Sequence, residues 1–163
     1  MIENWEQRLA EAWASMDQHG EEDFVALMDK LAAELPAGDP IGLYERGGAR
    51  DSTGHPDQAV ALYREALAAG LEGLRRRQAV IQLASSLRNL GELAESVELL
   101  TAELAAGSDE LDDAVRGFLA LALVDAGRER EAVSLALGAL APHLPRYQRS
   151  MANYARILVE PES

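Results

Sequence analysis

Cysteine is missing from this chain altogether, which removes disulfide frameworks, thiolate metal sites and thiol nucleophiles and leaves nothing that requires an oxidising compartment. Aromatic residues make up only 5%, so a core must come mainly from Leu, Ala and Val, which suits helix-on-helix packing better than a half-buried sheet. Lysine occurs once, at Lys30, so fourteen of the fifteen basic residues are arginine. Arginine is the better bidentate donor to carboxylate or phosphate, although this usage, with its alanine-rich background, also follows from a GC-rich genome. Long apolar runs are lacking: the most apolar stretch, residues 118–124, is far shorter than a bilayer span. The amino terminus, Met-Ile-Glu-Asn-Trp-Glu, has neither the basic region nor the apolar run of a signal peptide. A cytoplasmic protein without membrane association is expected.

Negative charge is what the chain has in excess, and it is unevenly spread. Residues 1–45 carry eleven acidic and two basic side chains (2−11 = −9), residues 46–90 four and seven (7−4 = +3), and residues 91–163 thirteen and six (6−13 = −7). A net charge of −13 repels phosphate backbones and anionic membranes, so nucleic acid is not an expected partner. With 163 residues, 48% hydrophobic and 26% charged, the composition fits one globular domain with a substantial core.

Periodicity gives the architecture. Val80, Leu83, Leu87 and Leu90 recur at helical spacing, Gly91 interrupts, and Leu93, Val97, Leu100 and Leu104 follow, which makes one amphipathic helical hairpin. Gly20, Gly54, Gly91 and Gly127 lie 34, 37 and 36 residues apart (54−20, 91−54, 127−91), each between two helix-length segments. The spacing predicts hairpins over about 2–36, 40–70, 74–106 and 110–142, with a closing helix over 146–158, about nine helices in one domain over 1–163. The first helix carries Ile2, Trp5, Leu9, Trp13 and Met16 as a stripe, and the second buries Phe24, Leu27, Met28, Leu31 and Leu35. Asp39-Pro40 starts the third helix as N-cap and first helical residue. That helix is the weakest: Arg46 and Arg50 stand where siblings place leucine, and Gly47-Gly48 costs roughly 1 kcal/mol per glycine. Structural ion pairs are expected for both arginines, with Glu45, Asp51 and Asp57 as partners. Arg75-Arg76-Arg77 is expected in the connection before the fifth helix, and Ser108 or Asp109 is expected to cap the seventh. The eighth uses Ala132, Val133, Leu135, Ala136 and Leu140, and the last presents Tyr147, Met151, Tyr154 and Leu158 on one face to seal the stack.

Gly54-x4-Ala59-Val60-x2-Tyr63-x2-Ala66-Leu67 resembles the second half of a tetratricopeptide repeat. Gly127, Ala132, Val133, Ala139 and Leu140 agree with the same pattern; the central hairpin keeps Gly91, Val97 and Leu104 but departs at Ser96 and Glu103. The run from Gln82 through Gly91 is similar to small bacterial tetratricopeptide-repeat proteins. The resemblance implies an α-solenoid and an interaction module, in which the first helix of each pair lines a concave groove. Family position maps that groove onto Tyr44, Glu45, Asp51, Gln78, Gln82, Ser85, Asn89, Phe118, Leu121 and Asp125.

Independently of the family, Gln78, Gln82, Ser85 and Asn89 lie at i, i+4, i+7 and i+11, a ladder of amides and a hydroxyl able to donate to and accept from a peptide backbone. It is equally the polar side of an amphipathic helix. Arg50, Arg77 and Arg88 could add a pocket for an anionic group. His19, His55 and His143 are far apart, no spacing matches a metal site, and Asp51, Ser52 and His55 at a turn fit local capping better than a triad. The expected function is therefore a non-catalytic adaptor without cofactor or metal, binding a protein or peptide segment through Tyr44, Arg50, Asp51, Gln78, Gln82, Ser85, Arg88, Asn89 and Phe118. Two alternatives are a homodimer through Trp5/Leu9/Trp13 or Tyr147/Met151/Tyr154, and a sensor of a small anionic ligand using the central arginines.

Overall fold

The computed structural model describes residues 2–160, with side chains from Asn4 onward. Among these residues every regular element is helical: α1 (Ile2–Ala14), α2 (Glu21–Ala32), α3 (Pro40–Ser52), α4 (Pro56–Ala68), α5 (Gly73–Asn89), α6 (Leu93–Ala106), α7 (Asp112–Asp125), α8 (Glu129–Leu140) and α9 (Gln148–Ile157). Short 3-10 turns cover Met16–Gln18 and Ala141–His143. The chain divides into two compact units, Met1–Ser86 and Leu87–Ser163, and the boundary falls inside α5.

In the first unit α1 packs on α2, α2 on α3 and α3 on α4. Trp5, Leu9 and Ala12 meet Phe24, Met28, Leu31 and Ala49 in one core, so the three-and-four spacing of the first stripe does mark its buried face; Ile2 lies outside the described side chains. The Trp5 indole N–H donates to the Leu31 carbonyl at 2.8 Å, which lets a large polar-tipped ring be buried without an orphan donor. α1 stops at Ala14, where the Ser15 hydroxyl bonds back to the Ala12 carbonyl at 3.0 Å and competes with helix continuation. Gly54, Gly91 and Gly127 turn their hairpins at φ of 79°, 84° and 73°, a region that penalises any side chain. Gly20 departs from that expectation: it is the N-cap of α2 at φ −67°.

α3 is where the sequence looked weakest and where the packing is tightest. The Asp39 side chain accepts from the amides of Ile41 and Gly42 at 2.9 and 3.2 Å, with Pro40 at the first helical position. A β-carbon on Gly47 would sit 2.8 Å from two carbons of the Tyr63 ring, and one on Gly48 would sit 3.1 Å from the Trp13 ring. Both glycines thus let rings from α4 and α1 lie directly on the α3 backbone. Burying one large aromatic side chain contributes roughly 1.5–3 kcal/mol, enough to offset about 1 kcal/mol of helix propensity per glycine. Arg46 and Arg50 form the expected ion pairs, but with one different partner. Arg46 Nε reaches Asp29 Oδ1 at 2.9 Å, and Arg50 holds both Asp29 oxygens at 2.9 and 2.8 Å. Asp29 belongs to α2, a neighbour that periodicity within α3 does not identify.

The Arg75-Arg76-Arg77 run is not in a connection. α5 begins at Gly73, and all three arginines lie in its first turns, Arg77 being buried.

In the second unit α6 packs on α7, α7 on α8 and α8 on α9. Leu87, Leu100, Val115, Leu119 and Leu123 are buried. In α6 the inward positions are Ser96, Leu100 and Glu103, while Leu93, Val97 and Leu104 are half-buried; the two residues that depart from the repeat pattern are core residues here. Leu111, not Ser108 or Asp109, holds the N-cap position of α7, and Asp109 acts one step earlier by accepting from the Leu111 amide at 2.7 Å. α8 buries Ala132 and leaves Val133 and Leu140 exposed. α9 seats Met151, Ala155 and Leu158, at i, i+4 and i+7, and exposes Tyr147 and Tyr154. Tyr147 precedes that helix at φ 69°, so it cannot share the face that the sequence assigned to it.

Candidate functional site

Three helices, each the first of its pair, turn a face toward one cavity of about 550 Å³ inside the first unit. α1 offers Glu6, Leu9, Ala10 and Trp13, spaced i, i+3, i+4 and i+7 on a single face. From α3 come Tyr44, Glu45, Gly48 and Ser52, and from α5 come Leu74, Arg75, Gln78 and Gln82. Apolar and aromatic surface thus alternates with carboxylates and amides along its wall.

A chain of charged hydrogen bonds runs across the helices. The Trp13 indole N–H donates to Glu45 Oε2 at 2.8 Å. Arg75 Nε donates to the other Glu45 oxygen at 3.2 Å, and its two terminal nitrogens reach both oxygens of Glu6 at 3.1 and 2.7 Å. Glu45 is 5% exposed; burial pushes its carboxyl above the ordinary range, against the bonds from Trp13 and the charge of Arg75. Arg75 is held above its ordinary value first by its bond to Glu6, so it is a fixed cation between two acids. Tyr44 donates to Gln78 Oε1 at 3.3 Å, and its hydroxyl is pushed up to about 12, first by burial and then by the neighbouring Glu45 charge. Gln82 is hydrogen-bonded to Tyr44, while its own Oε1 is buried with no donor. An acceptor in that state costs about 1–3 kcal/mol.

Of the residues singled out from sequence, the structure brings Tyr44, Glu45, Gln78 and Gln82 together at this cavity. Ser85 is half-buried further along α5, and Asn89 is exposed at its end. Arg50 lines a separate, smaller hollow with His55 and Glu21 and is occupied by Asp29. Asp51 points inward, accepting from Ser86 at 2.9 Å and from Tyr63 at 3.4 Å; burial raises its carboxyl over the effect of those bonds. In the second unit Arg88 holds Asp125 at 2.8 Å and Phe118 is half-buried. His55 Nδ1 lies 3.3 Å from the Thr53 hydroxyl, so Asp51, Ser52 and His55 each face something different. Among the described residues no group of three or more His, Asp or Glu side chains could hold a metal ion, and no helix is long and apolar enough to cross a membrane.

Sequence reasoning missed Glu6, Trp13, Gly48, Ser52, Leu74 and Arg75. One signal was present: two adjacent glycines in a helix leave room for something, and here it is the Trp13 ring that forms the cavity wall.

The model of the tetratricopeptide-repeat family ("Tetratrico peptide repeat") matches residues 40–158. Among solved structures, the "Podosopora anserina putative kinesin light chain nearly identical TPR-like repeats" align with a TM-score of 0.72 at 19% identity, covering 95% of this chain and 86% of that one. A single-substitution variant of the same protein aligns with the same figures. At that identity the likeness concerns the fold. No curated protein sequence matches the chain.

Proposed function

Because the chain belongs to the tetratricopeptide-repeat family, an all-α solenoid whose repeats generally mediate protein–protein contact, we propose that it is a non-catalytic adaptor receiving a peptide or protein segment on the first-helix face of its pairs. The observation that carries this reading is the cavity shared by α1, α3 and α5, where Tyr44, Gln78 and Gln82 stand beside Trp13 and Glu45. Its polar groups are tied to one another, Glu45 by Trp13 and Arg75, so it is built to recognise rather than to move protons. We read residues 1–163 as one repeat domain, supported by the family match that spans the boundary between the two units.

The test is a pull-down with the Gln78→Ala/Gln82→Ala double variant. Gln78 and Gln82 are the partners of the buried Tyr44 hydroxyl, so the double variant should lose about 1–3 kcal/mol but stay folded by circular dichroism while partner capture is lost; undiminished capture would remove the site. A homodimer is a second reading, favoured by Tyr147, Tyr154 and Ile157, which stand 70%, 64% and 47% exposed around α9. The anion-sensor reading requires Arg50 and Arg88 to release Asp29 and Asp125, which now hold them.

A further inference from the structure

The α1/α3/α5 cavity has one side of its charge in surplus. Glu6 and Glu45 face it with a single arginine between them, giving one net negative charge at its mouth (1−2 = −1). Arg75 spends Nε and both terminal nitrogens on those two carboxylates. Each carboxylate oxygen still has a free lone pair, since Glu6 and Glu45 together receive four hydrogen bonds and two carboxylates offer about eight acceptor positions. Acceptors therefore outnumber donors around a hollow that also presents the rings of Trp13 and Tyr44, and aromatic faces attract cations. The surrounding field has the same sign, because residues 1–45, which supply α1 and the start of α3, carry −9 (2−11).

We propose that the occupant of this cavity is a basic side chain, lysine or arginine, projecting from an extended segment of the partner protein. The cation reaches Glu6 at the rim and lies along Trp13, and its N–H groups donate to the acceptor positions that Arg75 leaves open on the two Glu6 oxygens. This rests on the adaptor reading above and adds the chemistry of the partner.

Trp13 is the natural reporter: the chain has two tryptophans, Trp5 is bonded to Leu31 in the core, and the Trp13 indole N–H sits on Glu45. The probes are blocked heptapeptide pools with Arg, Lys, Leu or Glu fixed at the centre and randomised flanks, titrated into the full chain while the Trp13 indole resonance is followed. The Arg and Lys pools are expected to shift it saturably and to bind about tenfold tighter than the Leu and Glu pools, a preference that high salt erodes. Glu6→Gln reduces that preference to about twofold and Glu6→Asp restores it; Glu6 is half-exposed, so neither change endangers the fold. Equal or tighter binding of the Leu or Glu pool at Trp13 overturns the basic-side-chain inference and leaves the adaptor reading standing. If no pool moves the Trp13 resonance, both fall.

Discussion

Gly47→Ala should destabilise the first unit, although alanine is the better helix former. Propensity alone favours the change by about 1 kcal/mol. Against it, the new β-carbon lies 2.8 Å from two carbons of Tyr63, closer than packed carbons tolerate, and Tyr63 is fully buried, so its ring has no free space to take. Overpacking of this kind costs about 1–3 kcal/mol, and a rigid ring caught between two helices belongs at the upper end. The net expectation is a loss of about 1–2 kcal/mol, or roughly 2–8 °C in Tm for a chain of this size. Both tryptophans, Trp5 and Trp13, lie in the first unit, so their fluorescence during urea unfolding reads that unit. Gly138→Ala is the matched control: Gly138 is also helical, within α8, but has nothing within 4 Å of a β-carbon, and should gain about 0.5–1 kcal/mol by circular dichroism. If Gly47→Ala stabilises as Gly138→Ala does, the account of the α3 glycines as seats for neighbouring rings is wrong.

Asp29→Asn removes the carboxylate that holds Arg46 and Arg50. Burial raises that carboxyl but the bonds from Arg50 and Arg46 outweigh it, leaving it below its ordinary value. Its stabilisation is therefore present above the unfolded value and lost as pH falls through the folded one. With 36% of the side chain exposed, the loss at neutral pH should be about 1–2 kcal/mol by urea titration, converging on wild type in acid; parallel curves would contradict it. Asp51 has the opposite sign. Burial raises its carboxyl over the bonds from Ser86 and Tyr63, so wild-type stability falls, relative to Asp51→Asn, as pH climbs past the unfolded value and through the folded one; a pH-independent difference would refute this. Trp13→Phe leaves Glu45 with Arg75 alone and should cost about 1–3 kcal/mol by thermal unfolding, whereas Tyr147→Ser/Tyr154→Ser should leave Tm within about 1 °C and yield a monomer by sedimentation if the wild type dimerises through α9.

The helices were legible because burial imposes a period on the chain: Trp5 and Leu9, Val80 and Leu83, Val115 and Leu119 all lie inside as their spacing required. The turns at Gly54, Gly91 and Gly127 were legible for a conformational reason, since few other residues accept their φ. What periodicity within one helix does not reveal is the identity of a neighbour. Asp29 meets Arg46 and Arg50 across 17 and 21 residues, and Arg75 meets Glu6 across 69. For the same reason half of the cavity was missed: the family pattern supplied positions on α3 and α5, but the wall formed by Glu6 and Trp13 depends on how α1 lies beside α3. The arginine run at 75–77 looked like a polar connection because no apolar period marks the first turn of α5, whose start is set by Gly73 at φ 63°. At α9 half of the stripe holds: Met151 and Leu158 turn inward, but Ala155 takes the place of the bulkier Tyr154 beside α8, where the Ser134 hydroxyl donates to the Ala155 carbonyl at 2.7 Å.

Hydrogen exchange on the chain with and without its captured partner tests the central claim most directly, because it reports which backbone segments the partner covers. Slowed exchange is expected in residues 4–14, 40–52 and 74–82, the stretches of α1, α3 and α5 that meet at the cavity. Slowing confined to α4, α6 or α9, with those three segments unchanged, would contradict it.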